Sequence, residues 1–175
     1  MPARYFSRME SPIGSVLFLG DEEGLVALHL EKKRYGPEQP DRCERNDEVF
    51  AAAREQMAAY FKGALQEFDV PLAAAGTPFQ RIVWRALMDI PFGETESYGA
   101  LAKRIGHDGA ARAVGLANGH NPIAIIVPCH RVIGSNGSLT GYGGGIARKK
   151  WLLEHERSFA KPSRTGRPIQ ARLDW

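Results

Sequence analysis

Asn121-Pro122-Ile123-Ala124-Ile125-Ile126-Val127-Pro128-Cys129-His130-Arg131-Val132-Ile133 carries an unbroken apolar run into a cysteine and two basic side chains. The β-branched residues of 123–127 predict a buried strand, because such side chains pack well on a pleated surface. A strand ending at Pro128 delivers Cys129 to the rim of a core, where a thiol is both shielded and within reach of a ligand. With His130 beside it, the pair fits a nucleophile: the thiolate is the reactive form, and imidazole or guanidinium groups lower its pKa. The same residues also fit a small buried hydrophobe next to an unrelated histidine, since neighbours on a strand face opposite ways. Both readings stand at this point.

Downstream lies Gly134-Ser135-Asn136-Gly137-Ser138-Leu139-Thr140-Gly141-Tyr142-Gly143-Gly144-Gly145. It matches neither the P-loop nor the dinucleotide fingerprint, so a phosphate cradle is not expected. Small residues there let backbone approach a flat ligand, with Tyr142 as an aromatic wall, or else form a plain connector. A helix is predicted from 147 to about 155, with Trp151 and Leu152 in the core and Glu156 at its end. A carboxylate in that position can orient His130 and complete a Cys-His-acid set.

Upstream, Thr77-Pro78-Phe79-Gln80 is a helix start: a threonine N-cap, proline in the first turn, and glutamine placed for a capping box. That helix is predicted to reach Met88. Ser97 caps a short helix burying Leu101, Ala102 and Ile105, Gly106-His107-Asp108-Gly109 turns, and 110–119 is helical again. Two short helices joined by a glycine-containing turn outline a helix-turn-helix. Nearer the start, residues 4–9, 15–20 and 25–30 read as an antiparallel meander. Residues 31–46 read as a polar loop. The 47–62 segment spaces Phe50, Ala53, Met57 and Phe61 as one helix face, and 68–72 reads as a further strand before a linker at 73–76.

The fold class is therefore α/β: a small N-terminal antiparallel sheet plus helix over residues 1–76, a mainly helical C-terminal domain over 77–160, and a basic tail over 161–175. The 175 residues are 43% apolar and 25% charged, which fits a globular chain and argues against disorder. No run approaches the roughly 20 apolar residues of a membrane span, and no signal peptide follows Met1, so a cytoplasmic protein is expected. Residues 1–75 hold 9 Lys+Arg against 13 Asp+Glu, and residues 76–175 hold 14 against 7. A basic half joined to an acidic one fits a face for a polyanion, or else a solvated surface.

In combination, Ile126-Val127-Pro128-Cys129-His130-Arg131-Val132-Ile133, Ala110-Ala111-Arg112-Ala113-Val114-Gly115, Asn121-Pro122, and Gly141-Tyr142-Gly143-Gly144-Gly145 followed by Trp151-Leu152-Leu153 resemble the O6-alkylguanine-DNA alkyltransferases of the Ogt type. These are direct-reversal DNA repair proteins. The resemblance covers residues 77–156 in order and spacing; over 1–76 it is looser, resting on Ser11-Pro12-Ile13-Gly14 and the helix before the linker.

The resemblance implies a suicide methyltransferase that flips O6-alkylguanine, and O4-alkylthymine as a second expected substrate, out of double-stranded DNA and moves the alkyl group irreversibly to Cys129. It implies that His130 reaches the sulfur through a water, Glu156 holds the imidazole, Asn121 sits at a hinge, and Tyr98 helps rotate the target phosphate and donates to the base. Arg112 becomes the finger that fills the vacated stack. The carbonyls of Cys129 and Val132 accept from the guanine amino group, Gly143 faces its O6, and Arg131 and Tyr142 complete the substrate-binding set. Gly143 stands where some members carry serine, which implies a roomier pocket. Cys43, His29, His107 and His120 do not reproduce the zinc ligands of other members, so no metal and no cofactor are expected. No dimerisation element is visible, so a monomer is expected, with cooperative assembly on DNA left open. A non-catalytic alkylated-DNA lesion-binding protein is the alternative; a thiol hydrolase predicts multiple turnovers, and a helix-turn-helix transcription factor predicts sequence-specific major-groove binding.

Overall fold

The computed structural model describes residues 3–31 and 42–161. Three strands, β1 (Tyr5–Met9), β2 (Val16–Gly20) and β3 (Leu25–Leu30), form the expected antiparallel meander, with Tyr5 opposite Gly20 and Val16 opposite Leu30. A two-residue strand, β4 (Glu44–Arg45), pairs parallel to β1 within the stretch read as loop, so the sheet order is β3-β2-β1-β4. Alternation along β2 sorts its side chains: Phe18 faces the main core, while Leu17 and Leu19 face a smaller cluster with Ala3 and Ala27.

Helix α1 (Ala51–Phe61) buries Ala53, Met57 and Tyr60. The inward face thus runs through Tyr60 rather than the predicted Phe61, which is half-buried against the rim. Residues 68–72 form no strand; Leu72 makes a single parallel bridge to Leu25.

The second half begins with α2 (Pro78–Met88), whose capping box has the predicted form: Gln80 N donates to Thr77 Oγ1 at 3.2 Å, and Thr77 N donates to Gln80 Oε1 at 2.9 Å. Ser97 caps α3 (Tyr98–Arg104), and Gly106 and Gly109, both at positive φ, bracket the turn into α4 (Ala111–Gly119). Trp84 of α2 donates its indole N–H to the Ala117 carbonyl at 2.9 Å, seating α4 on α2. Strand β5 (Glu96–Ser97) runs parallel to β6 (Val132–Ile133), and α5 (Ile146–Phe159) closes the described chain. Ala111–Gly119 leaves Arg112, Ala113 and Leu116 exposed.

One core joins the two halves: Phe18, Leu28, Met57 and Tyr60 belong to the same cluster as Trp84, Leu101, Ile123 and Leu152. Each such side chain removed from water contributes on the order of 1.5–3 kcal/mol. No helix among the described residues is long and apolar enough to cross a membrane. The basic tail proposed for 161–175 lies outside them beyond Lys161.

The predicted strand at 123–127 is corrected by the structure. Only Ile123 pairs, as an isolated bridge to Leu28, in which Leu28 N donates to Pro122 O at 2.9 Å and Ala124 N donates to Leu28 O at 3.0 Å. The segment then turns, and Ile125 adopts φ 70°, an uncommon conformation for a β-branched residue. Apolar character here reflects burial on every side inside the shared core rather than one face of a sheet. The bridge also covers the outer edge of β3, which would otherwise expose unpaired backbone groups.

Candidate active site

Asn121 builds the loop that carries the cysteine. Its Oδ1 accepts from Ile123 N at 3.0 Å, and its Nδ2 donates to Val127 O at 2.8 Å and to Ile123 O at 3.3 Å. One buried amide therefore satisfies backbone groups that a turn inside a core would leave orphaned. Cys129–Arg131 then form a single 3-10 turn, and Cys129, His130 and Arg131 are all buried.

Beneath this turn lies Glu156, fully buried within α5 rather than at its end. Five donors converge on its carboxylate. His130 Nε2 lies 2.7 Å from Oε1; Tyr60 donates its hydroxyl to Oε1 at 2.8 Å; Arg131 donates Nε to Oε2 at 2.9 Å and Nη2 to Oε1 at 3.0 Å; Gly93 N donates to Oε2 at 3.2 Å. Burial alone pushes the carboxyl pKa up, but the charges and hydrogen bonds of His130 and Arg131 outweigh it and hold Glu156 well below the usual carboxylate range. A carboxylate only accepts, so its contact assigns the proton to His130 Nε2 and leaves Nδ1 as the acceptor. Burial drives the imidazole pKa down despite Glu156, favouring the neutral ring. Nδ1 is buried and has no hydrogen-bond partner among the described residues.

Above the turn is a small pocket, partly open to solvent and lined by Leu30, Gly119, Asn121, Ala124, Cys129, Tyr142, Gly143 and Gly144. Apart from Asn121, Cys129 and Tyr142 its walls are aliphatic or glycine, which suits a flat aromatic ligand. Tyr142's hydroxyl is buried there and likewise lacks a partner among the described residues; burial, and then the nearby Cys129, push its pKa well above the phenolic value. Lys149, fully buried, donates Nζ to Val132 O at 2.5 Å and Thr140 O at 3.0 Å and lies 5.8 Å from the Tyr98 ring centroid. Burial lowers its pKa to about 8 against an opposing pull from Cys129.

Residues 78–158 match the DNA binding domain of 6-O-methylguanine DNA methyltransferase, and residues 4–74 match its ribonuclease-like domain. The chain belongs to this methyltransferase family. The methylated-DNA--protein-cysteine methyltransferase of Methanosarcina acetivorans is 55% identical over 88% of this chain and 99% of its own length. The protein of that name from Mycolicibacterium paratuberculosis is 54% identical over 91% and 96%. The crystal structure of Mycobacterium tuberculosis OGT in complex with DNA is similar at TM-score 0.83 and 52% identity, covering 89% of this chain and 94% of that one.

In this family member the structure gathers Cys129, Asn121, Tyr142 and Gly143 around one pocket, with His130 and Glu156 behind it. Arg131 does not line the pocket as the substrate-binding set had it. Its guanidinium is committed to Glu156 and to Ile90 O at 2.6 Å, because a buried arginine beside a carboxylate is most stable as a bidentate pair. The carbonyls assigned to the guanine amino group both have donors here: Cys129 O accepts from Asn118 Nδ2 at 3.3 Å and from the backbone N–H of Val132, and Val132 O accepts from Lys149. Tyr98 opens α3 half-buried and donates to Thr140 O at 3.0 Å, while Arg112 lies exposed in the first turn of α4. Tyr60, Asn118 and Lys149 were not found by sequence reasoning. The spacing of Tyr60 from Met57 on α1 was the only local signal for any of them.

Proposed function

We propose that the chain repairs DNA by direct reversal, taking an alkyl group from O6 of guanine onto Cys129, once per molecule. The observation that carries this reading is a pocket-lining thiol backed by a fully buried His130-Glu156 pair whose remaining imidazole nitrogen has no partner among the described residues. A water between His130 Nδ1 and the thiol relays the cysteine proton to neutral His130. The thiolate lone pair forms a bond to the alkyl carbon, the carbon–O6 bond breaks, and its electrons pass to the guanine ring. The proton taken from the thiol returns to the base, leaving guanine and a thioether. No hydrolytic route leads back from a thioether, which makes the protein a stoichiometric reagent.

The target base lies within the duplex stack, so the nucleotide must be extruded at a cost of a few kcal/mol. In this reading residues 77–160 bind DNA through α3 and α4, and exposed Arg112 fills the vacated stack as wedge residues do in minor-groove binders. Tyr98 exchanges its bond to Thr140 O for one to the substrate. The buried Tyr142 hydroxyl and the backbone of Gly143 face the base, and residues 1–76 brace the pocket from behind. The chain acts as a monomer without metal or cofactor.

The test is to mix the protein with a duplex bearing one O6-methylguanine and weigh the intact chain and its Cys129 peptide. One methyl group on Cys129, saturating at one per chain, is the expected result. Tight binding without mass gain refutes transfer and supports a lesion-binding protein instead; repeated turnover refutes the thioether end point.

A further inference from the structure

Ser11-Pro12-Ile13-Gly14, singled out in the sequence, lies far from Cys129 in the chain, and its turn closes on itself: Ser11 Oγ donates to Gly14 O at 2.6 Å, and Ile13 N donates to Ser11 Oγ at 3.2 Å. The outward-facing groups of this turn meet Arg148 of α5. Arg148 Nε donates to Ile13 O at 2.8 Å, while Nη1 donates to Glu31 O at 2.5 Å and to Gly144 O at 3.3 Å. Gly14 has φ 103°, and a methyl group added there would lie 3.1 Å from Arg148 Nη2. Glycine is thus favoured both by the backbone and by the space the guanidinium occupies.

Three segments converge on this one side chain: the turn after β1, the residue following β3, and the glycine loop of the pocket. Two of them supply pocket walls. Leu30 immediately precedes Glu31, and Gly144 is wedged so tightly that an added methyl would lie 2.7 Å from the Tyr142 ring and 3.1 Å from Leu30 Cδ1. The Leu30-Gly144-Tyr142 stack is therefore a wall whose thickness depends on how closely the loop is drawn to β3. A guanidinium fork sets such a spacing more rigidly than a single hydrogen bond, because its donors are fixed in one plane.

We propose that Arg148 is a positioning residue that draws the Gly144 wall against the N-terminal sheet, so that residues 1–76, through the Ser11–Gly14 turn, set the width of the alkyl-binding pocket and with it the selectivity among alkyl groups. The proposal rests on Cys129 being the alkyl acceptor. It gives the N-terminal half a role in substrate choice without contributing a reacting group.

The experiment measures single-turnover transfer from duplexes carrying O6-methylguanine or O6-benzylguanine, for wild type, Arg148→Ala, Arg148→Lys and Gly14→Ala, each well below its own melting temperature. Releasing the wall displaces reacting groups, so methyl transfer by Arg148→Ala is expected to slow about tenfold. The benzyl-to-methyl rate ratio should rise about threefold or more, as a widened apolar pocket discriminates less against bulk. Gly14→Ala, which pushes the guanidinium from outside the pocket, should shift the ratio the same way, and adding it to Arg148→Ala should change nothing further. Arg148→Lys keeps the stem and one cation and should show a smaller shift, which keeps the test open if the alanine variant does not fold. Affinity for unmodified duplex should stay constant. Ratios unchanged in the folded variants, or additive effects of the two sites, overturn the role of Arg148. A wild type that gains no mass at Cys129 on either duplex refutes the acceptor reading instead.

Discussion

His130 Nε2 stands 2.7 Å from Glu156 Oε1, and neither side chain reaches solvent. This pair couples stability to chemistry, because the carboxylate that fixes the imidazole tautomer is also the counter-ion of buried Arg131. Glu156→Ala leaves that guanidinium without its partner and should cost about 3–5 kcal/mol, the usual penalty for breaking a buried ion pair. Glu156→Gln keeps the volume but offers His130 and Arg131 a neutral partner. It should unfold at a temperature between wild type and the alanine variant, and its alkyl transfer should slow because the imidazole loses its orienting charge. Thermal melts and single-turnover assays of both variants check this; an alanine variant as stable as wild type contradicts the assigned network.

The same groups set the acid limb of stability. Folding lowers the pKa of both Glu156 and His130, so the unfolded chain binds protons more readily than the folded one, and both contributions are complete at high pH. His130's share should fade as pH falls below about 6.5 and Glu156's as it falls below about 4.3, the values of the unfolded groups. Melting temperature is therefore expected to decline in two stages on acidification, with the earlier stage missing in His130→Asn. A melting temperature that rises between pH 7 and pH 5 has the wrong sign.

Lys149 offers a second electrostatic handle. Its charge and that of Cys129 influence each other, and such coupling is reciprocal: what the thiolate does for the ammonium, the ammonium does for the thiolate. Replacing it as Lys149→Met should raise the apparent pKa of Cys129, read as a shift to higher pH in the rate of alkylation by iodoacetamide. An unshifted profile with a folded protein removes Lys149 from thiol activation.

How much of this was legible depended on distance along the chain. The Thr77–Gln80 capping box, the Ser97 cap and the three-stranded meander are local events, and their residues announce them. Cys129 and His130 stood out by adjacency, and Glu156 as the carboxylate at the end of the predicted 147–155 helix. The 123–127 segment misled because an apolar run reports burial but not backbone geometry; the turn is dictated by Asn121 and by the edge of β3, contacts invisible to periodicity. Tyr60 reaches Glu156 across 96 residues, and Arg148 reaches Ile13 across 135, so neither could be inferred from its neighbours. The two-residue strand β4 is too short to carry a pattern at all.

Arg112 separates DNA handling from chemistry. It is exposed in the first turn of α4, has no part in the Glu156 network, and lies outside the pocket lining. Arg112→Ala should therefore change stability by no more than about 0.5 kcal/mol, as surface substitutions do. If the side chain occupies the gap left by an extruded nucleotide, transfer from duplex O6-methylguanine should slow far more than transfer from the free base, because only the duplex must be unstacked. Duplex binding should also weaken as salt rises, since phosphate contacts release condensed counterions, and the slope should be shallower for the variant if Arg112 also meets a phosphate. Equal losses on duplex and free base would place Arg112 in the pocket chemistry rather than in the stack, which is incompatible with an exposed side chain on α4.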